Sequence, residues 1–196
     1  HAGEKRFRKA HRLTAQDLKE LAEAGVREVV AASLEPGDLG EDEAARRIAA
    51  ACRAANVEAR LPSTGRVNIH AAEAGVFLVD RKIVDAVNGI DRASTLATLN
   101  PYAPVEAGQM VATVKIIPFA VAENLVAQAE NACRAGNIFS VRPFQPRKVG
   151  LIQTTLPGIK TSVLDKTART TEARLARSAS RIAGELRPPH KAEEVA

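Results

Sequence analysis

Aromatic side chains are scarce in this chain of 196 residues, which contains no Trp, one Tyr and five Phe. Proteins that bind single-stranded nucleic acid stack bases on aromatic rings, so the composition argues against a nucleic acid partner. Cysteine is equally scarce, because only Cys52 and Cys133 occur. Two cysteines are too few for a disulfide framework or a cysteine-based zinc site. We therefore predict buried, reduced thiols and a cytoplasmic protein.

Long apolar runs and the motifs of several large enzyme classes are also lacking. No stretch approaches the ~18 apolar residues of a membrane span, and no secretory signal is visible, so we expect no membrane partner. The four histidines follow no metal-ligand spacing, and we assign no metal ligand. Neither a Gly-x-Ser-x-Gly elbow nor a Gly-rich phosphate loop occurs. The only Met is Met110, which indicates a processed or truncated product.

Charge is distributed unevenly along the chain. Residues 1–12 carry five Lys and Arg against Glu4, and residues 142–191 carry eleven Lys and Arg against three acidic residues. A mildly acidic body is thus joined to a basic C-terminal segment. This asymmetry favours an anionic partner such as a phosphate ligand, a nucleic acid or an acidic protein. The alternative is the solvated face of one Arg-rich helix, which needs no ligand.

The order of predicted elements indicates a mixed α/β fold. Thr14 and Asp17 form a capping box before a helix that Gly25 ends. A strand at 26–32 and a helix at 41–56 follow. The middle is rich in strands, at 57–61, 66–70, 76–80, 94–99 and 110–117, with helices at 81–88 and 121–135. We place a boundary at 142–147, which gives a mixed α/β domain over 1–146 and a second domain over 147–196.

A short internal similarity links two helix ends. Residues 50–56 read Ala-Ala-Cys-Arg-Ala-Ala-Asn, and residues 131–137 read Asn-Ala-Cys-Arg-Ala-Gly-Asn. Two Ala-rich helix ends can coincide by chance, so the similarity does not predict a duplication.

The stretch most informative about function covers residues 148–167. It predicts a buried strand over 149–154, then a polar loop, then a helix. In open α/β sheets, ligands bind at the carboxyl ends of strands, and a helix N-terminus favours an anion. The hydroxyl groups of Thr154 and Thr155 and the charge of Lys160 suit a phosphate there. The competing interpretation is structural, because Ser162 and Asp165 also match a capping box.

This stretch resembles the start of the molybdopterin-binding domain that molybdopterin adenylyltransferases and molybdenum insertases share. The family has an Asp-(Lys/Arg)-Ser-Gly turn after its first strand, where this chain reads Asp-Lys-Thr-Ala at 165–168. The linker motif of the insertases is similar to residues 7–14 and 24–30, with Ala10 in place of a Gly. Only roughly the first third of the family domain matches, and its Gly-Gly-Thr-rich loop does not occur.

The resemblance implies a cytoplasmic, molybdopterin-binding protein of molybdenum cofactor biosynthesis, in which 147–196 begin a three-layer domain with a parallel sheet. The ligand would be molybdopterin or another small anion, with or without Mg²⁺, and Asp165 is the candidate catalytic residue. The implied binding residues are Thr154, Thr155, Lys160, Asp165, Lys166 and Thr167. An incomplete domain implies self-association or a missing C-terminal portion. The full-length protein would be an insertase- or adenylyltransferase-like transferase, with this chain alone inactive. The alternative function is a non-catalytic module whose basic C-terminal segment binds an acidic partner or nucleic acid.

Overall fold

The computed structural model describes Phe7 and residues 11–195, and the fold is mixed α/β. Residues 8–10 of the insertase-like motif at 7–14 therefore lie outside the described residues. The elements of the described part are α1 (Ala15–Glu23), β1 (Asp38–Gly40), α2 (Glu41–Ala51), β2 (Ala54–Ala55), β3 (Val57–Ala59), β4 (Arg66–Ala71), β5 (Gly75–Val79), α3 (Arg81–Asn88), β6 (Ser94–Thr98), β7 (Pro104–Val105), β8 (Met110–Ile116), β9 (Ala120–Ala122), α4 (Glu123–Cys133), β10 (Phe139–Pro143), β11 (Lys148–Ile152), α5 (Thr161–Ala176), β12 (Arg181–Leu186) and α6 (Ala192–Val195).

The strands form several small sheets instead of one large sheet. Two of these sheets have four strands, in the orders β3-β4-β8-β6 and β2-β10-β5-β7. Their pairs are antiparallel except for β2 with β10. Strands β1 and β9 form an antiparallel pair, and β11 and β12 form a parallel pair. No helix among residues 11–195 is long and apolar enough to cross a membrane.

The main hydrophobic core lies between the two four-stranded sheets and helices α2, α3 and α4. Helix α2 packs against α4, β4 and β8, and α3 packs against α4 and β6. The largest fully buried side chains include Phe77, Phe139, Ile48 and Leu96. Alternation explains much of this burial, because every second residue of β4 faces the core. Strand β8 alternates in the same way from Ala112 to Ile116, and Val111 is buried as well. In chain order the main core ends at Val141.

Local sequence patterns fix several element ends. Thr14 and Asp17 form the predicted capping box at the start of α1, and Gly25 follows the helix with a φ of 77°. Helix α3 covers the predicted residues 81–88, and the side chain of Asp80 accepts hydrogen bonds from the amides of Lys82 and Ile83. These capping side chains satisfy amide groups that the first turn leaves free, so the residues that cap a helix also set its first residue.

Two elements predicted from hydrophobic pattern differ in the structure. The strand predicted at 26–32 is wrong, because these residues form no strand and the side chain of Val30 is fully exposed. An alternating segment becomes a strand only when another strand supplies hydrogen-bond partners. The helix predicted at 41–56 is too long, because α2 ends at Ala51. The chain then turns so that β2 can pair with β10.

The basic C-terminal segment folds as a β-α-β unit. Strand β11 pairs with β12 in parallel, and α5 connects the two strands and packs on β12. Leu164 of α5 is the buried apolar side chain of this unit. Within the described part of the chain, neither β11 nor β12 pairs with a strand of the other sheets. Because both strands run the same way, their carboxyl ends meet at one edge, beside the first turn of α5.

Candidate functional site

The edge where β11 and β12 end carries the residues that the sequence singles out, and we call it the strand-end site. It consists of the loop at residues 153–160, the first two turns of α5 and the segment at residues 187–191. Backbone hydrogen bonds hold the two chain segments together beyond the strands. The amide of Thr155 donates to the carbonyl oxygen of Pro188 at 2.8 Å, and the amide of His190 donates to that of Thr155 at 2.9 Å.

The two threonine hydroxyls of the loop differ in their partners. The Oγ1 atom of Thr154 lies 2.8 Å from Nδ1 of His190, and this pair stays exposed to solvent. The Oγ1 atom of Thr155 donates to the carbonyl oxygen of Pro188 at 3.2 Å. Thr154 and His190 thus place a hydroxyl and an imidazole together on the surface of the site. The hydroxyl of Thr155 instead fixes the loop to the segment after β12.

The first turn of α5 has no side-chain cap. Lys160 is the N-cap residue, with an extended backbone, and its side chain is exposed and makes no capping hydrogen bond. The capping box predicted for Ser162 and Asp165 is wrong, because Ser162 lies inside the helix and no side chain caps its start. The amide of Val163 donates to the carbonyl oxygen of Lys160 at 2.9 Å. The earlier amides of the first turn are left for solvent or an anion, and the helix dipole adds a partial positive charge there.

Asp165 takes part in a charged network that crosses the unit. Its Oδ1 atom accepts a hydrogen bond from Nη2 of Arg187 at 2.8 Å. The Nε atom of Arg187 donates to Oε1 of Glu185, which also accepts from Nε2 of Gln153 at 2.7 Å. The buried Gln153 donates as well to the carbonyl oxygen of Leu164 at 3.0 Å. The network ties the end of β11, the end of β12 and helix α5 together.

The pKa values of the network follow its hydrogen bonds. The bond from Arg187 lowers the pKa of Glu185, and the bond from Gln153 lowers it further against the effect of burial. The bonds to Glu185 and Asp165 raise the pKa of Arg187. Glu185 and Arg187 therefore stay ionised over a wide pH range. The two carboxylates offset the charge of Arg187, while Lys160, Lys166 and Lys191 are further exposed basic side chains of the strand-end site.

Two other candidate residues, Lys166 and Thr167, lie within helix α5 and not in a turn. The turn expected at 165–168 from the family resemblance is wrong, because these residues form part of α5. Lys166 is exposed on this helix. The hydroxyl of Thr167 donates to the carbonyl oxygen of Val163 at 3.0 Å, one turn earlier in the helix. A hydroxyl that is bonded to its own helix is less available to a ligand.

Sequence reasoning missed four residues of the site, which are Gln153, Glu185, Arg187 and His190. Only tertiary structure brings Glu185 and Arg187 to Gln153, because more than 30 residues separate them in the chain. A partial signal existed for Gln153, since it is the first polar residue after the apolar strand.

No family model, curated protein or solved structure matches the chain.

Proposed function

We propose that the strand-end site binds molybdopterin, an anionic pterin phosphate, and that the protein serves molybdenum cofactor biosynthesis. The observation that carries the proposal is that the uncapped start of α5 and the Thr154–His190 pair belong to one edge, where Gln153 and Arg187 bond to the early turns of α5. Free amides, a helix dipole, a hydroxyl and an imidazole together form a set of donors for a phosphate group. Lys160, the N-cap residue of α5, adds a mobile positive charge to the same edge.

The donor set fits the phosphate of the ligand and does not extend to a resident metal ion. Among residues 11–195 there is no group of three or more His, Cys, Asp or Glu side chains that could hold one. The proposal therefore assigns no residue to Mg²⁺. Thr154, His190 and Lys160 bind and orient the phosphate, while Thr155 fixes the loop. In this arrangement Arg187 and Asp165 position the elements around the site, and the three-layer domain of the resemblance is the proposed context.

The basic interaction module remains the second candidate, because one observation favours it. The Lys and Arg side chains of the β-α-β unit are mostly exposed, and they are distributed around it instead of being confined to the strand-end site. The exposed members are Lys148, Lys160, Lys166, Arg169, Arg174, Arg177, Arg181 and Lys191. A surface of this kind attracts any polyanion, with an affinity that falls steeply as salt rises.

Two lysine substitutions at opposite ends of β11 distinguish the candidates. We expect Lys160→Ala to weaken molybdopterin binding at least about tenfold, because a charge-assisted hydrogen bond contributes about 1.5–3 kcal/mol. Lys148→Ala is the matched control, since Lys148 is equally exposed but begins β11, at the opposite edge of the sheet. Anaerobic fluorescence titration with molybdopterin would give both dissociation constants. Equal losses for the two variants would contradict the phosphate site and favour the polyanion-binding module.

Asp165→Asn tests whether Asp165 contacts the ligand or only positions Arg187. Its carboxylate is partly exposed and already bonded to Arg187, so we expect a change of less than about 1 kcal/mol in the free energy of unfolding. We expect molybdopterin to bind several-fold more tightly at low salt, because a negative charge near an anion is removed. Urea unfolding and the same titration measure the two effects. Weaker binding by a stably folded variant would show instead that Asp165 contacts the ligand directly, as the family resemblance implies.

A further inference from the structure

The only two cysteines of the chain, 81 residues apart, meet where α2 and α4 end. Cys52 is the C-cap residue of α2, and Cys133 is the last residue of α4. Their Sγ atoms lie 3.5 Å apart, and Sγ of Cys52 also lies 3.4 Å from the carbonyl oxygen of Ile48. Both cysteines are free thiols in the structure. They are therefore in contact but unbonded, about 1.5 Å beyond the length of a disulfide bond.

The fold holds the two sulfur atoms together from both ends of the helices. Strands β1 and β9, which directly precede α2 and α4, pair with each other, so the helices start side by side. The helices have the same length of 11 residues and pack along each other, so they also end side by side. The similar segments at 50–56 and 131–137 are thus neighbours in space. The cysteine contact is a consequence of this paired arrangement.

The surroundings of the two thiols are unequal in a way that suits stepwise oxidation. Cys133 is completely buried, whereas Cys52 is partly exposed. Ala51 and Arg53, the neighbours of Cys52 in sequence, line a surface cavity of about 350 Å³ that also includes Arg46 and Arg134. A small reagent can therefore reach the chain next to Cys52. The hydrogen bond from Cys52 lowers the pKa of Cys133, and that bond together with burial raises the pKa of Cys52.

We infer that Cys52 and Cys133 are an oxidation site, at which a small disulfide such as oxidised glutathione converts the two thiols to a disulfide that joins α2 to α4. The site is separate from the strand-end site, and the inference does not depend on the proposed function. The disulfide closes a loop that contains the whole β3-β4-β8-β6 sheet. Such a bond restricts the unfolded chain more than the folded one, which stabilises the fold in the oxidised form.

The reaction proceeds by two thiol–disulfide exchanges. Cys133, whose pKa is lowered, first loses its proton and then takes up the proton of Cys52 within their hydrogen bond. The resulting Cys52 thiolate attacks one sulfur of oxidised glutathione, and one glutathione thiolate leaves and takes up a proton. Cys133 then loses its proton and attacks Sγ of Cys52, and the second glutathione thiolate leaves. The protein sulfurs lose two electrons and two protons, and two molecules of reduced glutathione form.

The test measures the covalent state of the unmodified chain in buffers that contain reduced and oxidised glutathione in graded ratios. Each sample is quenched in acid and alkylated in denaturant, and the intact mass of the protein is then measured by mass spectrometry. In the oxidising buffers we expect a form that has lost two hydrogens and takes up no alkylating reagent. Peptide mapping should join the peptides of Cys52 and Cys133. Two alkylated thiols throughout the series, or a lasting glutathione adduct on Cys52, would overturn the inference.

Two controls show whether the fold brings the thiols together. The midpoint is the ratio of oxidised to reduced glutathione at which half of the chain carries the disulfide. In urea this midpoint should rise at least about tenfold, because folding and disulfide formation stabilise each other. Equal midpoints in water and urea would contradict the role of the fold. Cys133→Ser should accumulate the glutathione adduct on Cys52, since the second exchange is blocked. If this variant accumulates no adduct although the unmodified chain oxidises, the order of the two steps is wrong.

Discussion

Phe77→Ala is expected to lower the free energy of unfolding by about 3–5 kcal/mol, the usual loss for a fully buried Phe. The side chain of Phe77 has no exposed surface, and its ring lies 6.2 Å from that of Phe139 on the adjacent strand β10. Its removal leaves a cavity where β5 meets β10, and a close-packed core collapses only partly around such a gap. Urea denaturation followed by circular dichroism measures the loss.

Phe119→Ala is the matched control for this substitution. The side chain of Phe119 is 40% exposed, and its backbone carbonyl, which accepts a hydrogen bond from the amide of Glu41, is kept in the variant. We expect a loss of about 1 kcal/mol, because less apolar area leaves contact with the protein. If both variants lose the same free energy, Phe77 does not occupy the core as the structure shows.

Arg47→Met should lower the stability strongly at neutral pH and much less in acid. Arg47 holds the buried Glu130 with two hydrogen bonds of 2.9 Å and also binds Glu123 at 2.7 Å. The bond from Arg47 lowers the pKa of Glu130 below its usual 4.5, against the opposing effect of burial. The native pair therefore adds stability that is present above about pH 4.5 and is lost as the pH falls through the lowered pKa.

In the Arg47→Met variant, ionisation of Glu130 destabilises the fold instead of stabilising it. Without Arg47 the buried carboxylate loses both short hydrogen bonds and keeps only the longer ion pair with Arg134, at 4.0 Å. Burial then raises its pKa, and ionisation at neutral pH works against folding. We expect a drop of several degrees in the melting temperature at neutral pH and a much smaller drop near pH 4. Thermal unfolding followed by circular dichroism across this pH range measures it. A drop that does not depend on pH would show that the loss comes from packing and not from charge.

Two further variants separate the Arg47–Glu130 pair from general surface charge. Arg46→Met makes the same change one residue earlier, where Arg46 and Glu43 are both about half exposed, and it should have little effect. Glu130→Gln in the Arg47→Met protein should recover part of the lost stability, because no buried charge then remains without its partner. If Arg46→Met destabilises as much as Arg47→Met, the buried pair has no special role.

Local sequence patterns predicted elements well where the determining groups are close in the chain. Helix α3 covers residues 81–88 as predicted, and Thr14 with Asp17 begins α1. Alternation located most strands of the middle part to within a residue or two. The pattern failed at 26–32, where alternation has no partner strand, and at the end of α2, where pairing with β10 stops the helix. Hydrogen-bond partners that are remote in sequence decided both.

The candidate site was predicted in position but not in its contacts. The apolar strand, the polar loop and the helix at 148–167 placed Thr154 and Lys160 at the carboxyl edge of a strand, where the structure has them. The same pattern assigned Asp165 to a capping box with Ser162, whereas Asp165 binds Arg187. A carboxylate near a helix start can bond a nearby amide or a distant guanidinium, and the spacing of residues does not distinguish the two.

The sequence by itself determined the mixed α/β composition of the fold, the capping box of α1 and the position of the basic C-terminal segment, because propensity, capping and charge depend on neighbouring residues. Tertiary structure alone decided which remote groups meet. It brought Arg187 to Asp165, His190 to Thr154 and Cys52 to Cys133. Such contacts depend on strand pairing and helix packing over the whole core, where many weak interactions act together and no short segment specifies the result.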